Sequence, residues 1–247
     1  MRERIRILRA RLLTLCRQHE ERMRCDTHPR QATYSFVSRA KSIDRAIWLL
    51  LDNESVPEAA ILLRSQINLL WCFLFMVDAR SVDGRFEFER EPQAGSNFAK
   101  RAARYLSWHW IDLHRRNPSA QSREMFDRLV QEHGFDPNAD IPRYWYQEGS
   151  IRNIRHLAEN VGGQNQYDED YSHLSGVEHS DVTSVIVEKI CDARYGDFIA
   201  LKSAHVFAAV MDFAIKICEV EADANWERAI QEFNTLADDI AHRAEHD

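Results

Sequence analysis

A chain of 247 residues, 45% of them apolar, can bury a sizeable core. Only 8 Gly and 6 Pro interrupt it, too few breakers for a sandwich or barrel with frequent tight turns, so the expected class is an all-α multi-helix bundle of about nine helices. A net charge of -7 argues against general nucleic-acid affinity. Five scattered cysteines without a Cys-x-x-Cys pair argue against a disulfide framework and a thiolate zinc site.

The chain opens on a basic amphipathic helix (1–28) in which Ile5, Leu8, Leu12 and Leu15 share one stripe and arginines cover the rest. After a break at His28-Pro29, Tyr34 to Leu51 reads as a second helix. Ser55 and Pro57 then open a third, ending near Asp78. Being apolar nearly all round, this third helix is expected at the centre of the bundle. Its longest unbroken apolar run, Leu69 to Val77, falls well short of the roughly 20 residues of a membrane span.

Ser81 to Gly95 reads as irregular. Ser96 caps a helix that Pro118 stops, and Ser119 caps another that ends at Gly134. Residues 134–149 form a long loop with an aromatic cluster at Tyr144, Trp145 and Tyr146. Ser150 is expected to cap a short helix closed by Gly162-Gly163, and Tyr167 to His179 reads as the next. Two more helices, near Gly196 to Val220 and Asp223 to Glu245, complete a single domain (1–247) whose last segment (221–247) is as acidic as its first is basic. Those two ends are expected to share an interface, within one subunit or between the two of a homodimer.

The candidate functional residues lie in two helices. Tyr171, Ser175 and His179 recur every four residues and form one polar stripe; Arg64 and Asn68 have the same spacing on the apolar third helix. A guanidinium there needs a partner or a ligand. The order Arg64-x3-Asn68, Arg101, Arg104 and Tyr105, then Trp145 with Ser150-Ile151, and finally Tyr171-x3-Ser175-x3-His179, resembles a family of bacterial all-helical proteins catalogued as a domain of unknown function. The resemblance covers about 55–185. Members commonly carry Glu where this chain has Asn68, so a pairing of that carboxylate with Arg64 is not carried over.

Three readings of the stripe stand side by side. It is a satisfied hydrogen-bond network that fixes helix register, a pocket for a small anionic ligand through Arg64 and His179 with Asn68, Trp145, Tyr171 and Ser175, or a catalytic centre. Ser175 and His179 lack the elbow and oxyanion hole of a hydrolase, and no His-Glu-x-x-His or Glu-x-x-His pair points to a metal, so neither cofactor nor metal is expected. The best-supported function from sequence is therefore a cytoplasmic binding or interaction protein. The alternative is a metal-independent ribonuclease of the HEPN type, as found in toxin and phage-defence systems, whose Arg-x4–6-His motif is matched by Arg104 with His109. With 27 arginines and 11 histidines such pairs also arise by chance. RNA is a candidate partner only through that motif and the N-terminal arginines.

Overall fold

The computed structural model describes residues 2–23, 27–82, 85–88, 95–132, 143–171, 174, 193–218 and 224–244. Helices dominate: α1 (Arg2–Met23), α2 (His28–Asp52), α3 (Val56–Met76), α4 (Asn97–Arg116), α5 (Ala120–Glu132), α6 (Ile154–Asn160), α7 (Gln164–Gln166), α8 (Ala193–Ile217) and α9 (Ala224–Ala244). α7 runs straight into a π-helical turn, Tyr167–Tyr171. The class is all-α, with one addition: β1 (Arg80–Val82) and β2 (Arg85–Glu87) pair antiparallel where the sequence reads as irregular.

Helices α2, α3 and α8 form the centre, each packed on the other two. On α3, Leu63, Ile67, Trp71, Leu74 and Phe75 are buried; Phe36, Ile47 and Leu51 of α2 and Phe207, Met211 and Ala214 of α8 close on them. α3 and residues 195–217 of α8 are long and apolar enough to cross a membrane, and both are more than half buried within the bundle. Their hydropathy is used up by neighbouring helices.

Helix α1 lies across α2, α8 and α9. Ile5, Leu12, Leu15 and Cys16 are buried beneath it. Its cations meet carboxylates from all three neighbours. Arg9 Nε donates to Asp44 of α2 at 2.7 Å, Arg2 Nε to Asp197 of α8 at 3.0 Å and Arg11 to Glu232 of α9 at 2.8 Å. The basic and acidic ends of the chain therefore meet within one subunit. Asp44 is fully buried and also accepts from Ser203 Oγ at 3.0 Å. Burial pushes its carboxyl above the usual carboxylate range, and the Arg9 charge and hydrogen bonds from Arg9 and Ser203 pull the other way.

Ser96 and Ser119 cap as the sequence implies, accepting from Ala99 N at 3.2 Å and Ser122 N at 3.1 Å. Elsewhere the boundaries move. α2 begins at His28 because Pro29 occupies the first turn, where a missing N–H costs nothing. The short helix after the loop is capped by Asn153, whose side chain accepts from His156 N at 3.0 Å, and not by Ser150. α8 starts at Ala193, ahead of Gly196.

Candidate functional site

Arg64, Asn68 and Trp71 project from successive turns of α3 towards the π-turn. The Arg64 guanidinium carbon sits 4.9 Å from the centre of the Tyr171 ring, and Asn68 Nδ2 donates to the Tyr171 hydroxyl at 3.1 Å. Tyr171 is buried. Asn68 Oδ1 is also buried and has no hydrogen-bond partner among the described residues. An orphaned carbonyl in such a place costs on the order of 1–3 kcal/mol unless a donor reaches it.

The π-turn positions the aromatic part. Tyr167 and Tyr171 stack with ring centres 5.1 Å apart, and Trp71 lies against both, 6.0 Å and 5.1 Å away. Trp71 Nε1 donates to Gln166 Oε1 at 3.1 Å. The Arg155 guanidinium carbon lies 5.9 Å from the centre of the Tyr167 ring, so each tyrosine of the pair has an arginine against its ring. Single π-turns inside helical segments are rare and occur disproportionately at functional sites. Here the turn places two tyrosines face to face. Gly163 makes room, since a Cβ there would lie 2.6 Å from Trp71 Nε1. Cys72 follows Trp71 on α3; burial pushes its thiol up to about 12, which makes it a packed thiol and not a nucleophile.

Of the residues singled out from sequence, Arg64, Asn68 and Tyr171 come together. Ser175 and His179 lie outside the described residues. Trp145 belongs to a neighbouring aromatic cluster, with ring centres 5.2 Å from Tyr105, 6.0 Å from Phe75 and 6.3 Å from Phe36. It anchors the loop before Gly149 to α2, α3 and α4. From the sequence Gly163 and Tyr167 read only as helix boundaries and Trp71 only as part of an apolar helix; Gln166 gave no signal, because a π-turn breaks the periodicity by which helical faces are recognised.

Arg104 and His109 have different surroundings. Arg104 Nη2 donates to the Gln147 carbonyl at 3.0 Å and its guanidinium lies 5.4 Å from the Trp108 ring. Burial lowers its pKa, with Glu148 opposing and Arg101 reinforcing. His109 is exposed, with Nδ1 2.9 Å from the Leu106 carbonyl and its ring 4.8 Å from Trp110. Five residues on one helix separate their directions by about 140°. Beside Arg104, Arg101 is held by Asp78 at 2.7 Å and by Glu148 at 3.2 Å. Among the described residues, no group of three or more His, Cys, Asp or Glu side chains is arranged to hold a metal ion.

No protein-family model, curated protein or solved structure matches the chain.

Proposed function

We propose that this chain is a cytoplasmic helical binding protein that holds a small anionic ligand at Arg64, Asn68 and Tyr171. The observation that carries the reading is the buried Asn68 carbonyl oxygen without a partner, one helical turn from a guanidinium laid on a buried tyrosine. A purely structural network would be expected to consume its own polar groups. The Asn68 oxygen instead suits a ligand N–H or O–H, and the Arg64 charge one turn away attracts an anionic group on the same molecule, as a hydroxy acid, an amino acid or a protonated phosphate offers. The buried free thiols of Cys16 and Cys218 fit a reducing compartment. The ribonuclease reading draws less support, since Arg104 and His109 diverge on α4.

Thermal denaturation with malate, glutamate, inorganic phosphate and adenosine monophosphate tests this. A ligand at 100 times its Kd adds about 2.7 kcal/mol. For a chain of this size that is a rise in Tm of about 5–10 °C. At least one of the four is expected to give such a saturable rise, lost in Arg64→Met and weakened in Asn68→Leu. No rise from any of them, or an equal rise in Arg64→Met, removes the reading and leaves a register-fixing network.

A further inference from the structure

The α2–α3 hairpin keeps one side open to solvent. α1, α4, α6 and α8 pack against the hairpin, yet Arg39, Ser42 and Leu49 of α2 and Glu58 and Ser65 of α3 are exposed. Leu49, at 65%, is the most exposed large apolar side chain among the described residues. Next to it a groove of about 630 Å³ runs between the two helices, lined by Ser38, Ser42, Ile43 and Ala46 of α2 and Leu62 of α3. Leu49 projects just beyond the end of this groove and does not line it. A projecting apolar side chain beside a partly apolar groove fits a copy of the same surface, because a two-fold interface sets each patch against the same patch of its mate.

Charge is divided across the same surface. Arg39 on α2 and Glu58 on α3 form no ion pair or hydrogen bond among the described residues. The two helices run antiparallel, with Phe36 against Phe73 at one end and Ser55 N donating to the Leu50 carbonyl at the other. Glu58, one turn before Leu62, therefore stands beside residues 48–50 of α2. At 1.5 Å per residue that is about 14–17 Å along the hairpin from Arg39, too far for the two to pair within one subunit. A two-fold axis over the groove, between Ile43 and Ala46, exchanges the two levels. It sets Arg39 against Glu58 of the partner subunit, and the reverse, and it seats Leu49 in the partner's groove. The open side is about 30 Å long and two helices wide, roughly 600 Å² per subunit, which is the lower end for a specific interface.

We infer that the open side of the α2–α3 hairpin binds a second copy of this chain in a two-fold dimer, with Leu49 in the partner's groove and Arg39 against the partner's Glu58. The inference is independent of the ligand at Arg64. Sedimentation equilibrium of the full chain over about 1–100 µM, the weak end for an interface of this size, tests it. The expected result is a mass that rises to that of two chains. Leu49→Glu should stay at the mass of one chain throughout, with its helical circular dichroism unchanged. Should that variant fail to fold, Ser42→Arg at the exposed groove wall blocks the seat instead. Arg39→Glu or Glu58→Arg alone should weaken dimerisation about ten-fold, since each sets like charges together twice in a two-fold dimer, and the double reversal should return it to within about three-fold of the native chain. A mass of one chain at every concentration, a dimer undiminished in a folded groove or Leu49 variant, or a double reversal no better than the single changes would overturn the inference.

Discussion

Asp44 and Gly163 show how much depends on single positions. Burial raises the Asp44 carboxyl pKa, so in a window above the ordinary value the folded chain binds a proton that the unfolded chain has already released. The folded state therefore gains relative stability as pH falls through the folded pKa and loses it as pH rises from about 3.8, the ordinary value, to that point. Asp44→Asn should erase this slope in denaturant titrations between pH 4 and 7. Asp44→Ala should cost about 3–5 kcal/mol, because it strands the Arg9 guanidinium and the Ser203 hydroxyl in the interior. A flat pH profile in the native chain would show that Arg9 compensates the burial in full. Gly163 is constrained by space and not by its backbone angle, φ being -95°. Gly163→Ala should lower stability by about 1–3 kcal/mol and alter tryptophan fluorescence, since Trp71 is tethered to Gln166 and has little freedom to retreat. At Gly196 the obstruction is the end of the Arg2 side chain, so Gly196→Ala should change the melting temperature little.

Among the elements, α1 has the clearest energetic role. Ile5, Leu12 and Leu15 are buried beneath it, each worth about 1.5–3 kcal/mol, whereas its exposed ion pairs contribute about 0–1 kcal/mol apiece. The apolar stripe sets the strength of the attachment and the arginines set its register. Deleting residues 1–26 removes a large part of a typical total stability of about 5–15 kcal/mol. The truncated chain should lose its cooperative thermal transition in circular dichroism, while 0.5 M salt should lower the Tm of the intact chain by only a few degrees. A truncated chain that melts like the intact one would show that α1 is dispensable. The apolar stripe of α1 was legible in the sequence, as were the caps at Ser96 and Ser119, because each rests on local spacing. The hairpin at residues 80–87 and the π-turn were not: three-residue strands carry too little alternation to register, and a π-turn has no sequence period of its own. Ser150 misled because a capping residue was present three positions too early, with Asn153 better placed to accept from His156.

For the molecule as a whole, composition sufficed for the class. Few breakers and a nearly all-round apolar α3 led to a helical bundle with α3 inside, and α3 does share the centre with α2 and α8. The candidate site was legible in part. Arg64 and Asn68 stood out as polar residues on an apolar helix, and Tyr171 as the start of a polar stripe, and the three meet. Trp145 stood out for its aromatic neighbours, which proved to be its packing partners and not a ligand wall.

The clasp of α1 also imposes an order in time. Arg2 and its partner Asp197 are 195 positions apart in the chain, and Arg11 and Glu232 are 221 apart. At synthesis rates of about 5–20 residues per second, α1 waits roughly 10–45 s after leaving the ribosome before α8 and α9 exist to receive it. Throughout that interval α2 is the only one of its three partners already made, so α1 can be held through Arg9 and Asp44 but lacks the surfaces of α8 and α9. The bundle can close only after most of the polypeptide has been made, so the last helices to be synthesised complete the seat of the first.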